Sequence, residues 1–376
     1  MNRKIRVAIV FGGQSTEHEI SILSARNVLA ALDKSRFEPL LIGIDKSGRW
    51  LTQDPDRLLA SARDPRLVHL GDGRAVSKEL LATGRSADEA AGSIDVIFPV
   101  LHGTMGEDGT IQGLFELAGI PYVGAGVLGS AIGMDKDVSK RLLREAGIPV
   151  ADYLVLRRER FDSDPAGALA QLARLGLPVF TKPANAGSSV GIRKVTAPAA
   201  IEDAVRFAFE FDCKVLVEAA VVAREIELAV LGGNPPSVSV AGEIVVRHPD
   251  GFYSYDAKYV DESGARLELP ARLTADELTR AQAMAGRAFD VLECEGMARV
   301  DFLLDRRDGT WYVSELNSIP GFTAISMYPR LLALSGVSYP ELLATLIDAG
   351  VARHRRRTVH AEAALRPLVE RVGRGE

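Results

Sequence analysis

Two stretches near the C-terminal end carry side chains able to do ionic chemistry together: Arg299-Val300-Asp301-Phe302-Leu303-Leu304 and, beyond Asp308-Gly309, Trp311-Tyr312-Val313-Ser314-Glu315-Leu316-Asn317. An Asp-Gly pair between two alternating apolar runs marks the turn of an antiparallel hairpin. Centred on Asp308, that hairpin sets Asp301 opposite Glu315 and Arg299 opposite Asn317, all four on one face. Opposed carboxylates have Cβ atoms roughly 5 Å apart and repel unless a cation or a shared proton lies between them. A divalent metal suits the position, because magnesium takes one or two carboxylates together with substrate phosphates, and an Asn carbonyl is a further hard oxygen ligand. A register one residue different leaves a solvated acidic hairpin instead, and the spacing alone does not separate the two.

A metal held in this way needs phosphates, and the chain lacks the Gly-Lys-Ser/Thr ending of a P-loop. Its nearest substitute is Gly187-Ser188-Ser189, lying between Lys182 and Gly191. Closely spaced amides and hydroxyls there can fold over a polyphosphate, with Lys182 as a point charge; a plain flexible hairpin is the alternative. Glu225 and Glu227 have strand spacing and share a face, which suits nucleotide hydroxyls or a metal as well as simple exposure. Gly124-Ala125-Gly126-Val127-Leu128-Gly129 matches the dinucleotide fingerprint, but it follows only the brief Ile120 to Val123 run and lies far from the first strand, so a nicotinamide reading is disfavoured. Glu17, His102 and the Glu107-Asp108 pair fall at the ends of separate strands and together suggest a small-molecule pocket, although a lone His in such a loop is often structural.

These residues need a scaffold. Val7 to Phe11, Leu40 to Ile44 and Ile94 to Leu101 read as buried strands alternating with helices, which predicts a parallel α/β layer with functional groups at the strands' carboxyl ends. A helix is expected from about Thr16 to Leu32, opened by a Thr16/Glu19 capping box. A second helix spans about Asp137 to Ala146, and Pro178 to Val195 reads as a hairpin. The expected organisation is an N-terminal unit over 1–136, a central unit over 137–231, a C-terminal unit over 232–360 and a tail over 361–376. The fold class is α/β, becoming α+β toward the C-terminal parts. Arg353 to Arg357 reads as a solvated helix or frayed end.

With 376 residues, 47% of them hydrophobic, the chain can bury several sizeable cores. Lys and Arg number 45 against 50 Asp and Glu, a net charge of -5, which argues against nucleic acid as a partner. Cys213 and Cys294 are too few for a disulfide framework and read as reduced core thiols. No apolar stretch approaches the ~18 to 20 residues of a membrane span, and the run after Met1 to Lys4 is too short for a signal core, so no membrane role is expected and the cytoplasm is the expected location.

Taken as a set, the motifs resemble the D-alanine:D-alanine ligases of the ATP-grasp superfamily. The resemblance rests on Phe11 to Glu19, on Leu101-His102-Gly103-Thr104-Met105-Gly106-Glu107-Asp108-Gly109, on Met134-Asp135-Lys136, and on Lys182-Pro183 through Gly187-Ser188-Ser189-Val190-Gly191. It continues through Tyr255 to Tyr259 and Asn317-Ser318-Ile319-Pro320-Gly321-Phe322-Thr323. These run in the family's order from about residue 5 to residue 330. The resemblance implies a three-domain ATP-grasp architecture with an N-terminal parallel α/β substrate domain. It also implies that ATP phosphorylates the carboxylate of one D-alanine and that the amine of a second attacks the acyl phosphate, giving D-alanyl-D-alanine for peptidoglycan precursors.

Carried over motif by motif, Lys136 and Lys182 contact ATP phosphates while Ser188 and Ser189 lie in the covering loop. Glu218 and Val221 line the adenine region and Glu225 the ribose. Asp301, Glu315 and Asn317 hold two Mg²⁺, for which Mn²⁺ can substitute. Glu17 takes the ammonium of the first D-alanine, joined by Ser188 and Tyr259 in a trio that closes the pocket, with His102 beside it. Arg299 and the Gly321 amide stabilise the tetrahedral oxyanion. Lys258, also placed near the nucleotide, lines the second D-alanine subsite with Ser326 and Met327. Tyr259 favours the dipeptide, since relatives that make a D-lactate ester tend to have His there; a D-alanine:D-lactate or D-serine ligase is the alternative. Ala219-Ala220-Val221-Val222-Ala223 lacks the family's usual polar residue and Gly, leaving adenine to backbone groups. A homodimer through the N-terminal domain is implied.

Overall fold

Strand-length apolar runs build three sheets among the described residues of the computed structural model, which are 3–62, 64–77, 80, 84, 93–246 and 265–374. In the first sheet, of order β3-β2-β1-β4, β1 (Ile5–Gly12) pairs in parallel with β2 (Phe37–Ile44) and with β4 (Val96–Val100), while β3 (Trp50–Gln53) adds antiparallel at the edge. Val7 to Phe11 are at most 1% exposed, as a parallel strand covered on both faces requires. The helix His18–Ala31 packs Ile22, Ala25, Val28 and Leu29 on this sheet. The carboxyl ends of β1 and β4 then deliver the loops that carry Glu17 and His102.

The expected Thr16/Glu19 capping box does not form: the helix begins at His18, and no side chain caps it. Glu19 pairs with Lys46 at 2.6 Å instead, so tertiary contact outcompetes the local bond. The same Thr-x-x-Glu spacing does form the reciprocal box at Thr274 and Glu277, opening the helix Ala275–Val291.

The second sheet, of order β5-β8-β6-β7, contains β5 (Tyr153–Arg157), β6 (Val179–Pro183), β7 (Arg193–Val195) and β8 (Lys214–Ala219), all antiparallel. The anticipated hairpin over Pro178 to Val195 is the β6–β7 pair. The third sheet, of order β11-β10-β9-β12-β13, comprises β9 (Ala223–Leu231), β10 (Ser237–Val246), β11 (Ala265–Glu268), β12 (Met297–Asp305) and β13 (Trp311–Asn317). The expected boundary at 231 therefore falls inside the β9–β10 hairpin, and β9 belongs with the C-terminal sheet.

Alternation along β12 sorts its side chains between two environments. Ala298, Val300, Phe302 and Leu304 are buried with Ala281, Ala285, Ala288 and Phe289 of the covering helix, while Arg299 and Asp301 point the other way. The C-terminal elements also close on the first sheet. Phe322, Tyr328, Leu331, Leu342, Leu346 and Ile347 share one core with Val7, Ile9, Phe11 and Phe98, and the Phe322 ring stands edge-on to Phe98 at 5.7 Å.

Two local expectations are corrected. Cys213 is exposed, and only Cys294 is a core thiol. The Arg-rich segment lies within one helix, Tyr339–Arg374, which continues through the expected start of the tail; Arg355 to Arg357 are exposed as a solvated helix requires, but Arg353 is buried and the segment is anchored rather than frayed. Arg353 is 5% exposed, donates to the carbonyls of Gly124 and Tyr122, and lies 4.2 Å over the Tyr122 ring. Arg357 pairs with Glu116 and Glu295.

That docking explains the fingerprint-like glycines at 124–129. A Cβ on Gly129 would lie 2.1 Å from the Glu293 carbonyl oxygen, and Gly124 has φ +93° with Gly296 packed against it. The glycines allow the helix Val127–Met134 to approach the 293–296 segment backbone to backbone. Gly129→Ala is therefore expected to destabilise the protein by about 2 kcal/mol or more. Gly113→Ala, whose Cβ meets nothing within 4 Å in the helix Thr110–Leu117, should be neutral or stabilise by up to about 1 kcal/mol. Urea midpoints of the two variants decide it; equal midpoints would refute the packing role.

Candidate active site

A cavity of about 1410 Å³ lies among the three sheets, and its wall includes every sequence-nominated site residue among the described ones. Tyr259 and Lys258 fall outside the described residues.

The hairpin meets its expected register, by a different route. Arg299 pairs with Asn317 and Asp301 with Glu315, but beyond them Phe302 faces Val313, so a bulge at Ser314 separates two registers. The turn is thus centred half a residue before Asp308, and the bulge restores the facing carboxylates. On its other side Asp301 faces Glu227 of β9, which makes Glu227, Asp301 and Glu315 a row across three strands. Arg299 lies against this row. Its Nε and Nη2 donate to the two Asp301 oxygens at 2.7 and 2.6 Å, and Nε is 3.1 Å from Glu227. Burial opposes the guanidinium charge, but Asp301 and Glu227 outweigh it and hold Arg299 firmly protonated. Asn317 donates Nδ2 to Asp301 at 3.1 Å, and turning that amide over presents its carbonyl oxygen in the same place. Among the described residues no three His, Cys, Asp or Glu side chains gather as a metal site; the hard oxygen donors at this end of the cavity are Glu227, Asp301, Glu315 and, once turned, the Asn317 amide.

On the central sheet, Glu218 is 1% exposed and has a lysine on each oxygen, Lys182 at 2.5 Å and Lys140 at 2.6 Å. Burial by itself would raise the Glu218 carboxyl; the two ammonium groups outweigh it and bring it down to about 2. Lys182 lies on β6 and lines the cavity; burial pulls its ammonium down, but Glu218 more than offsets this and raises it. Lys136 opens the helix Lys136–Glu145, which Asp135 caps by accepting from the amides of Asp137 and Val138 at 3.1 Å. Its Nζ donates to the Ala186 carbonyl at 2.6 Å, at the base of the serine loop. Asp212 secures the same loop by accepting from the backbone and side-chain nitrogens of Asn185 at 2.8 and 2.9 Å. Val221 and Glu225 line the wall beyond Glu218.

The serine loop reaches across to the N-terminal unit. Ser188 Oγ donates to Glu17, and a Cβ on Gly187 would stand 2.9 Å from the Glu17 carboxylate. Ser188 and Ser189 have φ +49° and +59°, a left-handed conformation that non-glycine residues rarely keep without a reason in their surroundings. Below Glu17, buried His102 donates Nδ1–H to the Ile319 carbonyl at 3.1 Å, with Nε2 3.5 Å from Ser24 Oγ. Burial pushes the His102 imidazole below its usual range, and Glu17 only partly opposes this. Glu107 accepts from the amides of Gly103 and Ile319 at 2.8 and 3.1 Å, and burial followed by Glu17 raises its carboxyl to about 8. His102 and Glu107 thus brace the 318–321 loop while remaining neutral near pH 7.

Past that loop, a Cβ on Gly321 would meet Ser326 Oγ at 2.7 Å, and Ser326 accepts from the Thr323 amide at 3.0 Å. Met327 borders the cavity from a 5% exposed position in the core. Sequence reasoning missed Lys140 and Asp212, which no motif marks, and it did not foresee the Arg299–Asp301 pair.

The family profile described as "D-ala D-ala ligase N-terminus" matches residues 6–125, and the one described as "D-ala D-ala ligase C-terminus" matches 142–348. A D-alanine–D-alanine ligase from Shouchella clausii is 48% identical over 359 residues, covering 94% of this chain and 96% of that protein. A D-alanine–D-alanine ligase A from Bradyrhizobium diazoefficiens is 50% identical over 368 residues, with 95% and 98% covered. The solved D-alanine–D-alanine ligase from Coxiella burnetii superposes with a TM-score of 0.82 at 35% identity, over 96% of this chain and 99% of its own. The VanG D-Ala:D-Ser ligase from Enterococcus faecalis gives 0.79 at 34% identity, over 93% of this chain and 100% of its own. Sequence and fold agree, and the chain belongs to the D-alanine–D-alanine ligase family, with its ATP-grasp architecture.

Proposed function

We propose that this cavity joins two D-alanines through a D-alanyl phosphate, with each wall taking one part of the work. The single observation that carries the reading is the Ser188–Glu17 hydrogen bond, which brings the serine loop over the N-terminal pocket in the same cavity as the hairpin carboxylates. Glu17 receives the ammonium of the first D-alanine. Lys136, Lys182 and the Ser188-Ser189 loop receive the ATP phosphates. Adenine lies by Glu218 and Val221, in contact with backbone groups of Ala219 to Val221, and the ribose lies by Glu225.

A carboxylate is a poor electrophile, and transfer of the γ-phosphoryl group gives it a leaving group. The second D-alanine, by Ser326 and Met327, then attacks the acyl carbon through its amine. Arg299 and the Gly321 amide take up the negative charge that develops on oxygen, as preorganised donors in a dry site do. Neutral His102 holds the 318–321 loop without adding a competing charge.

The oxygens of Asp301 and Glu315, with the Asn317 carbonyl once its amide is turned over, fit hard divalent cations, magnesium or manganese. Such ions, when bound, supply charge neutralisation for the transferring phosphoryl group. Arg299 satisfies Asp301 in the structure; with divalent ions held by Asp301, Glu315 and Asn317, its guanidinium would be available to the reacting carbonyl. Among the described residues no single helix is long and apolar enough to cross a membrane, and we place the enzyme in the cytoplasm, where ATP is at hand. We also infer a homodimer through the N-terminal unit, supported by the exposed Leu117 and Leu128 there.

Asp301→Asn and Glu315→Gln are each expected to reduce kcat by at least about 100-fold in an ADP-release assay, with the thermal transition within a few degrees of wild type. Near wild-type rates in either would remove the metal assignment. Offered D-alanine, D-serine or D-lactate as the second substrate, the enzyme should release ADP fastest with D-alanine. A preference for either of the others would mark it as the depsipeptide or D-serine type instead.

A further inference from the structure

Lys140 is a buried charged side chain to which the proposed reaction gives no part, yet it touches a group that lines the cavity. It is 1% exposed and lies on the helix Lys136–Glu145, one turn after Lys136, so both lysines occupy one stripe of the helix. Lys136 reaches the serine loop, whereas Lys140 reaches Glu218 at 2.6 Å and lies 6.0 Å from the Tyr153 ring centroid. The side chains of Lys140 and Glu218 are each 2% exposed, while that of Lys182 is 14% exposed and borders the cavity.

Glu218 thus has one partner that can turn to a ligand and one that cannot. Drawing Lys182 toward a phosphate removes half of the compensation from a carboxylate buried in a low-dielectric site. A buried charge left without its partner is expensive. With Lys140 fixed behind it, Glu218 stays ionised and in place whichever way Lys182 turns. Without Lys140, Lys182 becomes the sole counter-charge and is held back from the nucleotide.

We propose that Lys140 is a positioning residue for nucleotide binding: it holds Glu218 from behind, so that Lys182 can leave that carboxylate for the phosphates. The inference rests on the reading of Lys182 as a phosphate contact. It predicts a specific kinetic pattern. A lysine that only stabilised the fold would lower the melting temperature and the active fraction and leave the Michaelis constants unchanged.

The test measures ADP release by the full-length enzyme against ATP and, separately, against D-alanine. Lys140→Met should raise the KM for ATP by at least about tenfold, with kcat and the KM for D-alanine within about threefold, and Lys140→Arg should recover most of the loss. Because Lys140→Met leaves the Glu218–Lys182 pair charge-balanced, the variant should fold. Glu218→Gln and the double variant Glu218→Gln/Lys140→Met extend the test to a background where no buried carboxylate needs a partner. There the second substitution should raise the KM for ATP no further. An unchanged KM for ATP in Lys140→Met, or additive effects in the double variant, overturns the proposal. Lys182→Met separates the two layers: if it too leaves the KM for ATP unchanged, the phosphate reading of Lys182 falls and the proposal falls with it. If only Lys182→Met raises it, the role of Lys140 alone is refuted.

Discussion

Three carboxylates in a row across adjacent strands set the terms for the whole site. Glu227, Asp301 and Glu315 lie on β9, β12 and β13 at cross-strand spacing, facing a cavity rather than bulk water. Like charges so placed are destabilising unless cations stand among them. In the structure Arg299 serves, engaging Asp301 with two bonds and Glu227 with one contact. The opposite face of the same strands is apolar and packed on a helix, so the acidic row has no other face to turn to. Cavity walls that demand positive charge are suited to receive divalent ions with an anionic nucleotide.

The remaining charges follow the same economy. Glu218 is tolerated in the core because two lysines meet it, and Glu107 is tolerated because it is held protonated up to about pH 8 and accepts two amide hydrogens. His102 is tolerated as a neutral ring. These groups also join separate elements: Glu218 ties β8 to the lysine helix and β6, and Glu107 and His102 hold the 318–321 loop. The shared core of Phe322 with Phe98, Tyr328 and Tyr339 fixes that loop's far end to the first sheet. Substrate pocket and hairpin are therefore positioned by one body of packed side chains.

Much of this was legible in the residues. The three apolar runs of the first sheet, the β6–β7 hairpin and the facing of Asp301 with Glu315 all follow from period and turn chemistry. The facing came out as expected only because a bulge at Ser314 offsets a turn half a residue out of place, which no turn rule reveals. What sequence could not show was pairing over long distances. Glu19 chose Lys46 over its local cap, Arg353 left the solvent for the carbonyls of Tyr122 and Gly124, and Lys140 met a glutamate on a separate sheet. The glycines at 124–129 matched a nucleotide motif in letters, but their use is backbone packing. Local chemistry is written in adjacent residues; partner choice is decided by burial.

We propose that the acidic row, met by Arg299 in this structure, would take divalent ions on Asp301, Glu315 and Asn317 and so leave Arg299 free for the reacting oxygen. A crystal structure of the enzyme with ADP, magnesium and a phosphorylated transition-state analogue tests it most directly. The account predicts ions on Asp301, Glu315 and Asn317 and the Arg299 guanidinium turned from Asp301 to the analogue's oxygen. An intact Arg299–Asp301 pair, with the ions bound elsewhere, would contradict it.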